Sequence, residues 1–451
     1  MERGFTLVKI DKNLCTGCEQ CKIVCPVNAI KGKKGEPQNI DSDICVSCGQ
    51  CVQICSSYSM YTEQKKNERK ILKTVNEPMF AAFYEGKITD VEVKLKDKEL
   101  YKIVQCAPAV RVSLAEEFGF PSGSLTPGKL AAALRLLNFD KVYDTNFAAD
   151  LTIMEEGSEL VRRVTSGENL PMFTSCCPAW VKYIEQTYPE LLNHLSSCRS
   201  PQQMAGSIFK TYGAKLDSVK SEKIYSVAVM PCTCKQFECD RPEMIASGYK
   251  DVDAIITTRE LAQLIKAKGI DFKNLKDENF DTPLGKYSGA GNIFGVTGGV
   301  MEAALRTGYS LITKEEIPKL DLEEVRGTEG IIDASITIGN ITLKVAVVCG
   351  LKNIVQILES VKNGMCKYHF IEVMTCPKGC ISGGGQPKFF TVEDREKAYI
   401  SRRTSMFEHD KNLPIRKSHE NPYVKKIYKE FLGAPLGKKS HHLLHTQYTK
   451  R

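Results

Sequence analysis

Long apolar runs are missing from the chain: nowhere do its 451 residues assemble the roughly 20 apolar positions that cross a bilayer as a helix. The amino end from Met1 to Lys12 lacks the apolar core of a secretory signal, so the expected location is the cytoplasm, with no membrane partner. Tryptophan is reduced to Trp180, and the seven histidines form no pair that reads as a metal site, so none is assigned to a metal. Hydrophobic residues at 42% and charged residues at 26% exclude wholesale disorder and a fibrous architecture. The net charge of +8 is local: Lys411 to Arg451 holds ten Lys or Arg against Glu420 and Glu430. Because Leu432, Leu443 and Leu444 sit among these charges, the tail reads as the solvated face of a packed segment and not as a nucleic-acid arm. A docking surface for an acidic electron carrier is the minority reading.

Cysteine, by contrast, is abundant, with 19 residues. In a reducing compartment such residues are more often metal ligands than disulfide partners. Cys15, Cys18, Cys21 and Cys25, followed by Pro26, fit the bacterial ferredoxin run C-x2-C-x2-C-x3-C-P. Cys45, Cys48, Cys51 and Cys55 repeat it, with Ser56 in the place of the second proline. In such runs three neighbouring thiolates hold one cubane and the remote fourth serves the other. One 4Fe-4S cluster is therefore assigned to Cys15, Cys18, Cys21 and Cys55, and a second to Cys45, Cys48, Cys51 and Cys25. Zinc is the competing reading of C-x2-C pairs, but it does not account for the duplicated triplet-plus-one spacing. Residues 1–75 are expected to form a two-cluster, ferredoxin-like α+β domain that conducts single electrons, ending in the charged stretch Gln64 to Lys73, a linker or surface helix.

From about residue 76 apolar strands alternate with amphipathic helices. Thr126-Pro127 opens a helix through Leu137, with Thr as cap and Pro preset for the first turn. Ile224 to Met230 and Asp253 to Ile256 read as buried strands, the second feeding a helix from Arg259 to Lys268 that stops at Gly269. Gly339-Asn340 is a hairpin turn joining Ser335–Ile338 to Ile341–Val348. The pattern is α/β, in two lobes. Gly289-Ala290-Gly291 with Gly295 has the spacing GxGxxxG and no preceding strand, so a nicotinamide site is rejected. Three cysteine motifs remain: TSCCPAW from Thr174, MPCTCKQFE from Met230, and EVMTCPKGCISGGGQP from Glu372. Cys376 and Cys380, four apart, can grip one cubane, and glycines 383 to 385 let the backbone pass close to a bulky inorganic group. A third iron-sulfur site with further ligands nearby is expected.

These three motifs, with SGAGNIFGVTGGVMEAALR from Ser288, resemble the signatures of the iron-only (FeFe) hydrogenases, and the similarity runs from about residue 76 to the end. The amino-terminal segment is similar to the two-cluster domain of the shorter bacterial, clostridial-like members. The resemblance implies a two-lobed α/β catalytic domain over 76–387 and a small-subunit-like segment over 388–451 packed on it. It implies an H-cluster: a cubane bound by Cys177, Cys232, Cys376 and Cys380, with Cys380 bridging to a diiron unit that carries carbon monoxide, cyanide and a dithiolate. Lys235 would donate to one cyanide, while Gln202, Met230, Met374 and the Ala107-Pro108 backbone would surround the iron pair. Ala109 stands where some members have a serine, so that contact is expected to be absent.

Cys176 would be the proton donor and acceptor, with a reference pKa of about 8.5 near working pH. Glu156, Ser196, Glu159 and Arg163 would relay protons to solvent. Cys234 stands where many members have alanine or arginine, and either leaves the cubane unaffected or alters its hydrogen bonding. Cys106, Cys198, Cys239, Cys349 and Cys366 read as small core residues. The implied activity is reversible interconversion of protons and electrons with dihydrogen. A ferredoxin or flavodoxin would be the electron carrier, maturation proteins would supply the diiron unit, and the chain would be a monomer. A dihydrogen sensor and an iron-sulfur assembly scaffold are the alternatives. The first usually carries an appended signalling domain, and the second lacks the full set of Cys176, Lys235 and GGGQP.

Overall fold

A computed structural model describes residues 5–60, Arg69, Leu72 and 78–451; the expected linker Gln64–Lys73, Arg69 and Leu72 apart, lies outside the described residues. Two four-stranded sheets organise the large region. In the first, the order is Ala254–Thr257, Ile224–Met230, Tyr101–Cys106, Lys141–Asp144, and all neighbours are parallel. Helices cover parallel strands on both faces, which is why Ile224–Met230 is an almost unbroken apolar run rather than an alternating one. The second sheet runs Gly330–Ile338, Ile341–Cys349, Phe370–Met374, Met172–Phe173, antiparallel only at the first pair. That pair is the expected hairpin, turning at Gly339 with φ +57°, and its strands extend further than the sequence suggested.

Helix boundaries follow local chemistry. Thr257 and Glu260 form a capping box for helix Thr258–Ala267, which gives way to Gly269 in the left-handed region, φ +70°. Pro127 opens helix Pro127–Leu136 as expected, yet the Thr126 hydroxyl makes no cap bond and is buried without a partner. Its ψ of 52°, away from the extended value a capping residue adopts, turns the hydroxyl from the first-turn amides. The 22-residue helix Thr145–Ser166 is capped by the Asp144 carboxylate, which accepts from the Asn146 amide, and it buries glutamates as well as apolar residues. The basic tail is packed: Leu432, Leu443 and Leu444 are buried beside this helix's neighbours.

The amino-terminal cysteine repeats form two short helices, Gln20–Val24 and Gln50–Ile54, flanked by small two-stranded sheets. Strand Val8–Ile10 pairs with Ala82–Tyr84, beyond the expected linker, so the amino-terminal segment is stitched to the large α/β region. The second repeat abuts the later cysteine motifs: Thr233 Oγ1 donates to the Ser47 carbonyl at 2.8 Å, and Gln53 Nε2 donates to the Gly383 and Gln386 carbonyls at 3.0 and 2.7 Å. A Cβ on Gly384 would lie 2.7 Å from the Cys48 carbonyl oxygen and 2.8 Å from Gly49 Cα. Gly384→Ala is therefore expected to destabilise the protein by about 1–3 kcal/mol, seen as a lowered melting temperature of anaerobically prepared protein. An unchanged melting temperature would mean that this seam opens at no cost.

Candidate metal centre

Ligand sites in open parallel sheets lie beyond the carboxyl ends of the strands. Here both sheets aim those ends at one space. Ala107-Pro108 follows Tyr101–Cys106, Cys232 follows Ile224–Met230, Cys176-Cys177 follow Met172–Phe173, and Cys376 follows Phe370–Met374. Together with Cys380 they open onto an apolar cavity of roughly 90 Å³. Met230, Met374, Gln202, Lys235 and Ala109 line the same cavity. Glycines 383 to 385 do more than approach that space: a Cβ on Gly383 would meet the Pro231 carbonyl oxygen at 2.2 Å, and one on Gly385 the Thr257 Cβ at 2.7 Å. Gly383 lines the cavity, and neighbouring backbone and side chains also close on these glycines.

The donor set fits a thiolate-bound inorganic group. Four soft sulfur ligands, Cys177, Cys232, Cys376 and Cys380, face one apolar volume. Lys235 Nζ donates to the Cys176 carbonyl at 3.0 Å and to Glu238 Oε2 at 2.9 Å, which leaves its third N–H for the cavity. Gln202 Nε2 is held by Glu238 and Cys239, while its buried Oε1 has no partner. Glu238 keeps Lys235 charged in spite of burial. The i,i+3 spacing of Lys235 and Glu238 was the available signal for that pair, and it was missed. Two further residues escaped the sequence reading. Gln50 Nε2 donates to Cys376 Sγ at 3.2 Å, and Thr375 Oγ1 lies 3.2 Å from Cys177 Sγ. The Cys234 amide faces Cys232 Sγ at 3.3 Å, whereas its side chain packs in the apolar cluster with Trp180 and Phe237.

Two smaller cavities lie in the amino-terminal segment. Cys15, Cys18, Cys21 and Cys55 line one, and Cys25, Cys45, Cys48 and Cys51 the other. A Cβ on Gly384 would meet the Cys48 carbonyl oxygen, and the neighbouring Gly383 lines the large cavity, which places the second of these cavities next to it.

Behind Cys176 stands a polar file on helix Thr145–Ser166. Burial, and after it the charge of Glu156, pushes the Cys176 thiol well above its ordinary pKa, so the expectation of a thiol titrating near its reference value is corrected. Glu156 is buried with neither carboxyl oxygen hydrogen-bonded. Burial, then Glu159, lifts it to about 8, against opposing effects of Ser196 and the Ser175 amide. Ser196 Oγ donates to Glu159 Oε2 at 2.9 Å, and Arg163 donates to Glu159 Oε1 at 2.7 Å and to the carbonyl of exposed Asn169 at 3.1 Å. Ser196, Glu159 and Arg163 are thus joined; Glu156 and Cys176 are neighbours without a hydrogen bond.

Because the folded protein holds the Glu156 proton up to about pH 8 and an unfolded chain releases it near 4.5, the stability this carboxyl lends at low pH declines above about 4.5 and is lost through about 8. Infrared titration is expected to show a protonated-carboxyl band that disappears with a midpoint near 8 and is absent from Glu156→Gln. A band that fades near pH 4.5 in the unaltered protein would contradict the buried, unpaired environment.

Comparison with known proteins gives consistent findings. Residues 101–384 match the family described as iron only hydrogenase large subunit, C-terminal domain; residues 396–451 match iron hydrogenase small subunit; residues 7–56 match a 4Fe-4S dicluster domain. The NADP-reducing hydrogenase subunit HndD of Solidesulfovibrio fructosivorans is 49% identical over 81% of this chain and 63% of its own length. Iron hydrogenase 1 of Clostridium pasteurianum is 45% identical over 83% of this chain and 65% of its own length, so the chain spans a little under two thirds of both relatives. A solved structure of FeFe-hydrogenase HydA1 from Chlamydomonas reinhardtii superposes with a TM-score of 0.72 at 40% identity, covering 81% of this chain and 99% of that one.

Proposed function

The chain belongs to the iron-only hydrogenase family, and from that premise we propose that it interconverts protons and electrons with dihydrogen, reversibly. The observation that carries the reading is the meeting of four cysteines from three separate motifs and one further cysteine, Cys176, on a single apolar cavity. Cys177, Cys232, Cys376 and Cys380 would hold the cubane of an H-cluster, with Cys380 also reaching the diiron unit. When bound, that group supplies the redox site at which protons and electrons combine.

This chain's residues do the rest. Lys235 presents a positive N–H to an anionic ligand in a low-dielectric space, where a charge-assisted bond is strong. Met230, Met374 and the Ala107-Pro108 turn exclude water, and Gln202 offers its unpartnered oxygen to the same volume. Cys176, its thiol kept protonated by burial, holds a proton at Sγ beside the reacting space. Glu156, lifted to about 8, exchanges protons near working pH and passes them by way of Ser196 to Glu159, whose carboxylate Arg163 holds at the outer end of the route.

Electrons would enter through two 4Fe-4S clusters, one on Cys15, Cys18, Cys21 and Cys55, the other on Cys45, Cys48, Cys51 and Cys25. The cavity lined by the second set borders the catalytic motifs through Cys48 and Gly384. Gln50 steadies Cys376 across this seam. A small soluble one-electron carrier, a ferredoxin or flavodoxin, is the proposed partner. All nineteen cysteines are unpaired, which suits a reducing compartment, and the cytoplasm is the proposed location. Among the described residues no helix is long and apolar enough to cross a membrane.

In matured protein, infrared bands of metal-bound carbonyl and cyanide are expected. Cys176→Ala should keep those bands and its iron content while losing about a hundredfold or more of dihydrogen evolution from a reduced mediator. Near-normal evolution by this variant would defeat the assignment of Cys176.

A further inference from the structure

Outside the large cavity and the two cysteine quartets of the amino-terminal segment, a fully buried group of side chains able to hold a metal lies where the carboxyl-terminal segment crosses the polar file. An antiparallel bridge pairs Cys198 with His445, and the Arg199 amide to the Leu444 carbonyl and the Thr446 amide to the Ser197 carbonyl close it from both sides at 2.8 Å. The bridge sets Cys198 Sγ 3.9 Å from His445 Nδ1 and 3.9 Å from Glu159 Oε2. The three ligand atoms lie within 4.8 Å of one another, and all three residues are buried. A tetrahedral zinc ion with bonds of about 2.0–2.3 Å sets its ligand atoms roughly 3.3–3.7 Å apart, so the two 3.9 Å pairs need to close by a few tenths of an ångström and the Glu159–His445 pair, within 4.8 Å, by at most about 1.5 Å.

The surroundings orient the imidazole as zinc sites do. His445 Nε2 lies 3.0 Å from Glu155 Oε2, and since that oxygen accepts, Nε2 carries the proton and Nδ1 presents its lone pair to Cys198. Glu155 is itself fixed, accepting from Tyr428 Oη at 2.5 Å and from the Leu436 amide at 2.8 Å. The Ser197 hydroxyl, 2.8 Å from Nδ1, occupies the lone pair and would yield it to a cation. The Cys198 thiolate and the Glu159 carboxylate, the latter shared with Arg163 at 2.7 Å, face the dication, and the Glu155 carboxylate stands behind His445, so the filled site carries compensating negative charge. Exposed His441 stacks on His445 at 4.6 Å between ring centres, an accessible first ligand on the way in. His441 and His445 are four apart, a spacing passed over in the sequence, where Cys198 had been read as core filling.

We propose that Glu159, Cys198 and His445 form a binding site for a borderline divalent cation of the zinc class, and that a cation held there closes the proton route through Glu159. The closing effect rests on the proposed relay from Cys176 through Glu156 to Glu159; the site does not. Binding requires the Cys198 thiol to surrender its proton, so affinity falls with acidity.

The test uses matured, full-length protein given one equivalent of zinc ion and then passed through citrate buffer. One zinc per chain should be retained with iron content unchanged, and zinc-edge X-ray absorption should show one sulfur at about 2.3 Å among nitrogen or oxygen ligands at about 2.0–2.2 Å. Cys198→Ala should lose the retained zinc and the sulfur signal, and Glu155→Gln should weaken binding by about 10–100-fold. Zinc that washes off the unaltered protein, binds without sulfur, or is held equally by Cys198→Ala overturns the site, whatever the turnover. With the site filled, dihydrogen evolution should fall by about tenfold or more and return on adding a strong chelator. Zinc bound through Cys198 with turnover unchanged overturns the closure and the route through Glu159, but not the site. A protein inactive before zinc is added counts against the hydrogenase reading instead.

Discussion

A parallel strand delivers the residue that follows it to the same edge as its neighbours, and the whole centre depends on two sheets turning that edge toward each other. Ala107-Pro108, Cys176-Cys177, Cys232 and Cys376 each stand immediately beyond a strand end. No one motif could enclose the cavity, because each contributes one wall, and the strands set the spacing between walls. This is also why the glycines at 383 to 385 are needed: the loop after Phe370–Met374 must pass between Pro231, Cys48 and Thr257 without a side chain.

Burial decides the chemistry inside. A low-dielectric interior penalises any lone charge, so many of the buried charges come paired: Lys235 with Glu238 at 2.9 Å, Arg241 with Glu185 at 2.7 Å, Arg306 with Asp410 at 2.8 Å. Where no pair is supplied, the proton stays. Cys176 and Glu156 are two of the places beside the centre where this happens, Glu372 a third, and all are raised chiefly by burial. The same desolvation that makes the cavity suitable for an inorganic anion therefore stocks its wall with retained protons.

Much of this was legible in the sequence, for reasons that differ from residue to residue. The repeated ferredoxin spacing is local, so the cysteines of the two small cavities could be read from one stretch of chain. Strand Ile224–Met230 and the hairpin at Gly339 were visible because apolar runs and turn residues are local as well. The contacts that escaped join residues across long separations: Gln50 meeting Cys376, 326 residues away, and Cys198 meeting His445, 247 away. The Cys176 pKa was misjudged because a reference value says nothing of burial. The Thr126 cap failed because identity and position alone do not fix ψ.

Electrons and protons make opposite demands on a protein wall, and the two sides of this cavity differ accordingly. Electron passage needs short distances and tolerates a rigid, featureless seam; the boundary with the amino-terminal segment is made of Cys48, Gly49 and Gly384 in close backbone contact, with Gln50 and Gln53 fastening it. The proposed proton route needs ionisable or hydroxyl groups in file, and helix Thr145–Ser166 carries Glu156 and Glu159 on its buried face, with Glu159 held between Ser196 and Arg163. The end of the chain meets this second side, where His445 reaches Ser197 and Glu155. A constraint placed through His445 would therefore act on protons, leaving the electron seam as it is.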